Sequence, residues 1–402
     1  MITKFSINIK ELAYLVVFSD KLLYTIKAIF NLEVSSKMKK HVVMAVSAML
    51  AATSLFAYNP PAGGQNLLRL SSPFSLAGAN STAGGAMNDA IPSSVLTNPA
   101  LQAFEQRIVL DVGFTFMSDK NKEKNSGNDI GTAFQLGATI PTRWCVPTLM
   151  FQGIFAPLVD MNLANNIAFT ANVSKDITDK VSVGLGVTGG GFWNKAASDW
   201  TLALNTGVVY NHGDLFIFKN VRFGATLMNI GKMYSETKNM GIKGTDSLGT
   251  LIEVTSWPGI ATPRGGIAFI LLDKGSMKIG GSTDIALPGF QNVALDLGFG
   301  LEYSGLKFMT LKLNSAWELD FKELIEGCTN LVPAIGLSAK FNVNTGANAT
   351  LAKRGWQQSE VTPGFAWRNL YSDINALSVG AVLKLGMEDK DPPEITLWDE
   401  EH

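Results

Sequence analysis

The sequence predicts an all-β fold: a 14-stranded antiparallel transmembrane β-barrel with an N-terminal hatch segment in its lumen. Three observations point there. Charged residues make up only 17% of the 402 residues, while 39 are glycine and 9% are aromatic, a composition poor in surface-helix formers and rich in turns. Apolar and polar side chains alternate with a period of two over many stretches of about 10 residues, enough for a tilted strand to cross a bilayer and longer than the usual soluble strand of about 5–6. A secretory leader comes early, and nothing after it approaches the run of about 18 apolar residues that a membrane helix needs.

Residues 1–37 hold one short apolar run, LAYLVVF, broken at Ser19-Asp20-Lys21, and are expected to be an upstream over-extension of the reading frame. Residues 38–57, MKKHVVMAVSAMLAATSLFA, read as the signal peptide, with Lys39 and Lys40 as its charged start, an apolar centre from Val42 to Leu55, and Ala57 at the cut. Residues 58–106 are rich in Gly, Ala, Ser and Asn, a composition that builds no core of its own.

The barrel is expected over 107–386. In RIVLDVGFTFM, Ile108, Leu110, Val112, Phe114 and Phe116 share one face, and Arg107, Val109, Asp111, Gly113 and Thr115 the other. The same reading places strands at 107–117, 130–140, 147–157, 161–174, 179–191, 198–211, 219–230, 263–272, 276–286, 291–303, 305–314, 331–342, 361–370 and 374–386, an even number as bacterial barrels have. Long connections at 118–129, 231–262 and 315–330 fall on one end, as expected of extracellular loops, with 343–360 the exception. Phe114, Phe116, Trp144, Trp200, Tyr210, Tyr303, Trp367 and Tyr371 are read as aromatics near strand ends, where interfacial girdles belong. Residues 387–402, with seven acidic residues and one lysine, form a tail expected in the periplasm.

Several function classes are excluded. A formal net charge of −1 without a basic cluster is no nucleic-acid footprint. Cys145 and Cys328, expected to stay unpaired, and three scattered histidines supply neither a metal site nor a nucleophile with its base, and His212 in YNHGD reads as a turn residue. VSVGLGVTGGGFW contains Gly184-x-Gly186-x-x-Gly189, the spacing of a nucleotide loop, but SDWTLALNTGVVY follows as another strand where that loop opens a helix. Those glycines are read instead as making room where hatch and wall meet, so Gly186→Leu is expected to impair assembly. The sequence calls for no catalytic residue, cofactor or metal.

The chain resembles the FadL-like family of outer-membrane transporters for long-chain fatty acids and other hydrophobic compounds. The residues that carry the resemblance are Ala77-Gly78, Gly84-Gly85-Ala86, Asn88-Asp89-Ala90, and Asn98-Pro99-Ala100 directly before the first strand, then VRFGATLMNIGK (221–232) and TPRGGIAF (262–269). NPA is followed by Leu101-Gln102 where the family has a glycine. The resemblance implies a hatch whose motif comprises Asn88, Asp89, Asn98, Pro99 and Ala100, an outer-membrane location reached through the barrel-assembly machinery, and a hydrophobic ligand such as a long-chain fatty acid. Met150, Ile154, Met228 and Ile230 are the candidate ligand contacts in the lumen. Two other readings accompany it: a barrel of the same fold serving secretion or surface anchoring, and a soluble secreted β-sandwich that binds carbohydrate.

Overall fold

Alternation of oily and polar residues fixes which face each strand turns inward to its neighbours' burial, and in this chain the buried face is the polar one. In β1 (Ile108–Asp119), Ile108, Leu110, Val112 and Phe114 are 39–48% exposed, while Val109, Asp111, Thr115 and Met117 are at most 2% exposed. A sandwich of two stacked sheets would bury the oily faces against each other. The β-sandwich reading is therefore overturned.

The computed structural model describes residues 70–78, 81–87, 90–120, 129–158, 161–195, 198–232, 241–245, 251–254, 261–288, 293–321, 331–343, 358–370 and 373–386. The leader, Asn88, Asp89, Tyr371, Cys328 and the acidic tail lie outside the described residues.

After β1 come β2 (Ile130–Thr139), β3 (Val146–Pro157), β4 (Met161–Asp176), β5 (Val181–Trp193), β6 (Ser198–Leu215) and β7 (Phe218–Lys232). A short hairpin, β8 (Gly241–Thr245) and β9 (Leu251–Val254), interrupts the long connection that the sequence marks at 231–262. Then follow β10 (Thr262–Lys274), β11 (Met277–Ala286), β12 (Ala294–Tyr303), β13 (Met309–Asp320), β14 (Ala334–Asn342), β15 (Glu360–Leu370) and β16 (Ile374–Leu385).

Each of β1 to β7 and β10 to β16 pairs antiparallel with its chain neighbour, β7 with β10, and β1 with β16 in unbroken register from Ile108↔Leu385 to Asp119↔Ile374. The ring of 14 strands is thereby closed. Closure leaves no strand edge unpaired, which is how an all-β wall satisfies its backbone polar groups. The hairpin stands outside this ring and pairs with the start of β4 at Met161↔Ile242.

Three local readings are corrected. The eleventh ring strand, β13, runs 309–320 rather than 305–314, because exposed Lys307 and Phe308 belong to the turn and the charged end WELD continues the ladder opposite β12. His212 lies within β6, edge-on to Tyr210 and Phe223, and the turn sits at Phe216 and Ile217, with Phe216 at φ 53°. Phe114 is not at a strand end, since it pairs with Val379 and Phe134 in mid-ladder. Exposed aromatics do gather at both rims: Trp144, Tyr210, Phe216, Tyr303 and Phe308 at the short-turn end, and Trp193, Trp200 and Phe321 at the other.

Candidate functional site

The segment before β1 is short of apolar residues, and its order comes from caps and from the ring it touches. Three helical turns, Pro73–Leu76, Pro92–Leu96 and Pro99–Gln102, each begin on a proline, whose fixed φ suits the first helical position. Ser72 Oγ accepts from Phe74 N at 3.3 Å, and Asn98 Oδ1 accepts from Ala100 N at 2.9 Å.

Glycines on the polar face of the ring are the seats for this segment. Gly184 of β5 and Gly207 of β6 are directly paired, and together they make a flat platform under Asn98-Pro99-Ala100. A Cβ on Gly184 would overlap the Pro99 carbonyl and the Ala100 nitrogen, and one on Gly207 would overlap the Asn98 side chain. The pattern recurs around the ring. Gly113 and Gly380, also paired, lie against Ser71 and Pro73; Gly364 lies against Phe74, Gly336 against Ala77, Gly224 against Thr82, and Gly280 and Gly300 against Ala86 and Met87.

Polar bonds hold the segment on these seats. Asn98 Nδ2 donates to Thr82 O at 2.6 Å and to Val208 O at 3.1 Å, and Asn172 Nδ2 donates to Pro99 O at 3.0 Å. Thr82 N donates to Asp284 at 2.7 Å, and Asp284 in turn pairs with Arg264 at 3.3 Å, which also pairs with Asp296. At the entry to β1, Glu105 accepts from Lys384 Nζ at 2.8 Å, and Arg107 pairs with Glu360 at 3.3 Å, tying the end of the segment to β15 and β16. Removing one partner of such a buried pair costs about 3–5 kcal/mol, because the other charge stays buried.

The sequence-derived candidates fall in different places. Asn98, Pro99 and Ala100 form the capped turn on the Gly184–Gly207 platform, with Ala100 fully buried. Met150 is buried on the polar face beside Gly137, which Pro92 of the segment also approaches. Ile154 is enclosed in an apolar cluster with Leu70 and Leu76 of the segment and with Met117, Phe192 and Ile374 of the wall. Met228 is buried opposite Thr262. Ile230 stands opposite Leu204, past a bulge where Asn229 has φ 60° and its N–H donates to Asn205 Oδ1 at 2.8 Å, so it shares the exposed apolar face with Leu204.

Of the three glycines in the nucleotide-like spacing, only Gly184 meets the segment directly. Gly186 faces Asn172, whose Oδ1 would lie 3.0 Å from a Cβ there, and Gly189 has only Leu202 nearby at 3.7 Å. Sequence reasoning missed the seats on the other strands. The signal was present as a glycine at polar-face parity near the middle of β1, β6, β7, β15 and β16.

A cavity of about 460 Å³ opens at the short-turn end, between the segment and the wall. Its wall side is ionic, with Lys219, Arg222, Asp273, Lys278 and Glu302, whereas the segment contributes Met87, Leu101 and Phe104. Among the described residues, no group of three His, Cys, Asp or Glu side chains is placed to hold a metal ion.

No protein-family model matches the sequence, and no curated relative does. Solved structures similar to this chain are channels for hydrophobic compounds. A deltaS2 mutant of TodX, a monoaromatic hydrocarbon channel, covers 82% of this chain and 100% of its own at 10% identity and a TM-score of 0.47. The Ralstonia pickettii toluene transporter TbuX covers 78% and 96% at 11% identity and 0.46, and a Pseudomonas aeruginosa FadL homologue 79% and 98% at 11% and 0.42. At these identities and scores, nothing about their ligands passes to this chain.

Proposed function

We propose that the chain is an outer-membrane channel for a hydrophobic small molecule, with residues 58–106 as the hatch that fills its lumen. The observation that carries this reading is one closed ring whose exposed face is apolar and whose polar face is occupied by the segment before β1. An apolar exposed face flanked by aromatic rims matches a bilayer, where a closed barrel is the β-structure able to satisfy every backbone group. A segment of this length reaches β1, β5 to β7, β11, β12 and β14 to β16 only from within the ring.

The hatch is held by hydrogen bonds, ion pairs and shallow glycine seats, with no covalent tie beyond its junction with β1. Such contacts can exchange for others as a ligand passes. The long connections, read as extracellular, give the entry side, and insertion is the work of the barrel-assembly machinery. Long-chain fatty acid is the ligand type implied by the sequence resemblance, through Asn98-Pro99-Ala100 and the glycine-rich stretch before it.

Uptake tests this directly. Cells that lack a fatty-acid channel of their own and produce this chain should take up labelled oleate several-fold faster than cells without it, with no change in sucrose entry. Equal oleate uptake from a barrel that shows heat-modifiable migration would reject transport and leave the secretion or anchoring role.

A further inference from the structure

The cavity at the short-turn end has two unlike sides, and that asymmetry specifies a ligand. On the segment side, Leu101 and Phe104 present hydrocarbon to the opening, and Phe104 is 40% exposed. On the wall side stand four cations, Lys219, Arg222, Lys278 and Lys384, against three acids, Glu105, Asp273 and Glu302. Two of the cations are engaged, Lys384 with Glu105 at 2.8 Å and Lys278 with Glu302 at 3.7 Å. Glu302 also takes Lys312 at 3.2 Å. Lys219 makes no ion pair among the described residues, and it lines the same cavity as Arg222, whose guanidinium reaches across to the segment at Gly84. The balance therefore favours a single negative charge near β7.

We propose that this cavity binds an amphiphile with one anionic head, the head between Lys219 and Arg222 and the apolar part against Leu101 and Phe104. At about 460 Å³ the space lies within the range of about 300–1,000 Å³ typical of small-molecule sites. An uncharged hydrocarbon would leave the ionic wall desolvated and unpaired, and a polar anion would leave the Leu101 and Phe104 surface in contact with water. The inference deepens the channel reading by naming the ligand's chemistry at the short-turn exit. It rests on binding rather than on flow.

The test uses the full chain in a non-ionic amphipol, titrated with 11-(dansylamino)undecanoic acid and with the corresponding uncharged alcohol. The acid should bind saturably at one site and about tenfold more tightly than the alcohol, the gain expected of a charge-assisted head contact. Lys219→Gln combined with Arg222→Gln should abolish that preference and leave the alcohol's affinity within about twofold. Lys219→Gln alone, at an exposed residue without an ion pair, should lower it about threefold if the double variant fails to fold, and Lys219→Arg should restore it. Equal affinities for acid and alcohol, a preference that survives in folded variants, or no saturable binding would each overturn the site. Binding with the stated preference alongside failed oleate uptake rejects the channel and keeps the site, and uptake without the preference does the reverse.

Discussion

Gly184→Leu is expected to reduce the heat-modifiable barrel fraction at least about tenfold, since the loss it causes approaches the whole stability of a folded domain. A side chain at Gly184 runs into the backbone of Pro99 and Ala100, which no rotamer change can move aside. Lifting the turn breaks the bonds from Asn98 to Thr82 and Val208 and from Asn172 to Pro99, all in buried surroundings. Each buried group left unsatisfied costs about 1–3 kcal/mol. Gly189→Leu is the matched control, because only Leu202 lies near that position and at ordinary contact distance. Unheated gel migration of the two variants measures the difference. The same comparison applied to Gly186→Leu should fall between them, since its nearest obstacle is the end of the Asn172 side chain.

Deleting residues 58–106 is expected to convert a closed lumen into an aqueous pore. The ring keeps its closure without the segment, because β1 and β16 pair backbone to backbone from Ile108↔Leu385 to Asp119↔Ile374. What the deletion removes is the cover over Asp111, Gln135, Asn205 and Asp284, which are each at most 2% exposed in the intact chain. Those side chains then face water, as in an open porin. In a planar bilayer the intact chain should show no steady conductance, and the shortened one discrete openings larger by orders of magnitude. A silent but folded shortened barrel would mean that other residues close the lumen.

The strands were readable because each carries oily residues on one face and polar ones on the other, a signal that survives without knowledge of any partner. In β1 the alternation of Ile108, Leu110 and Val112 with Val109, Asp111 and Gly113 is enough to place both the strand and its faces. Errors came where that signal was interrupted. Glu318 and Asp320 resemble a solvated loop, yet Glu318 stands opposite Asp296 on the polar face and pairs with Arg368 at 2.8 Å. The hairpin of β6 and β7 runs past the expected turn at His212 because exposed ladder rungs need no core pattern to continue.

The site was less legible. Asn98 before Pro99 signals a capped turn locally, but its resting place on Gly184 and Gly207 depends on which strands the closed ring brings together. The ion pairs of Glu105 with Lys384 and of Arg264 with Asp296 join residues far apart in sequence, so register rather than spacing decides them. Ile230 followed the expected parity until the bulge at Asn229 reversed it.

The central claim is that the apolar faces of this ring contact lipid while the polar faces enclose the hatch. Nitroxide scanning of residues 110–115, one at a time in a Cys145→Ser, Cys328→Ser background reconstituted in bilayers, tests it most directly. Labels at 110, 112 and 114 should collide freely with oxygen and be shielded from an aqueous nickel chelate, and labels at 111, 113 and 115 should be shielded from both. Free access of the nickel chelate to 110, 112 and 114 would contradict the claim.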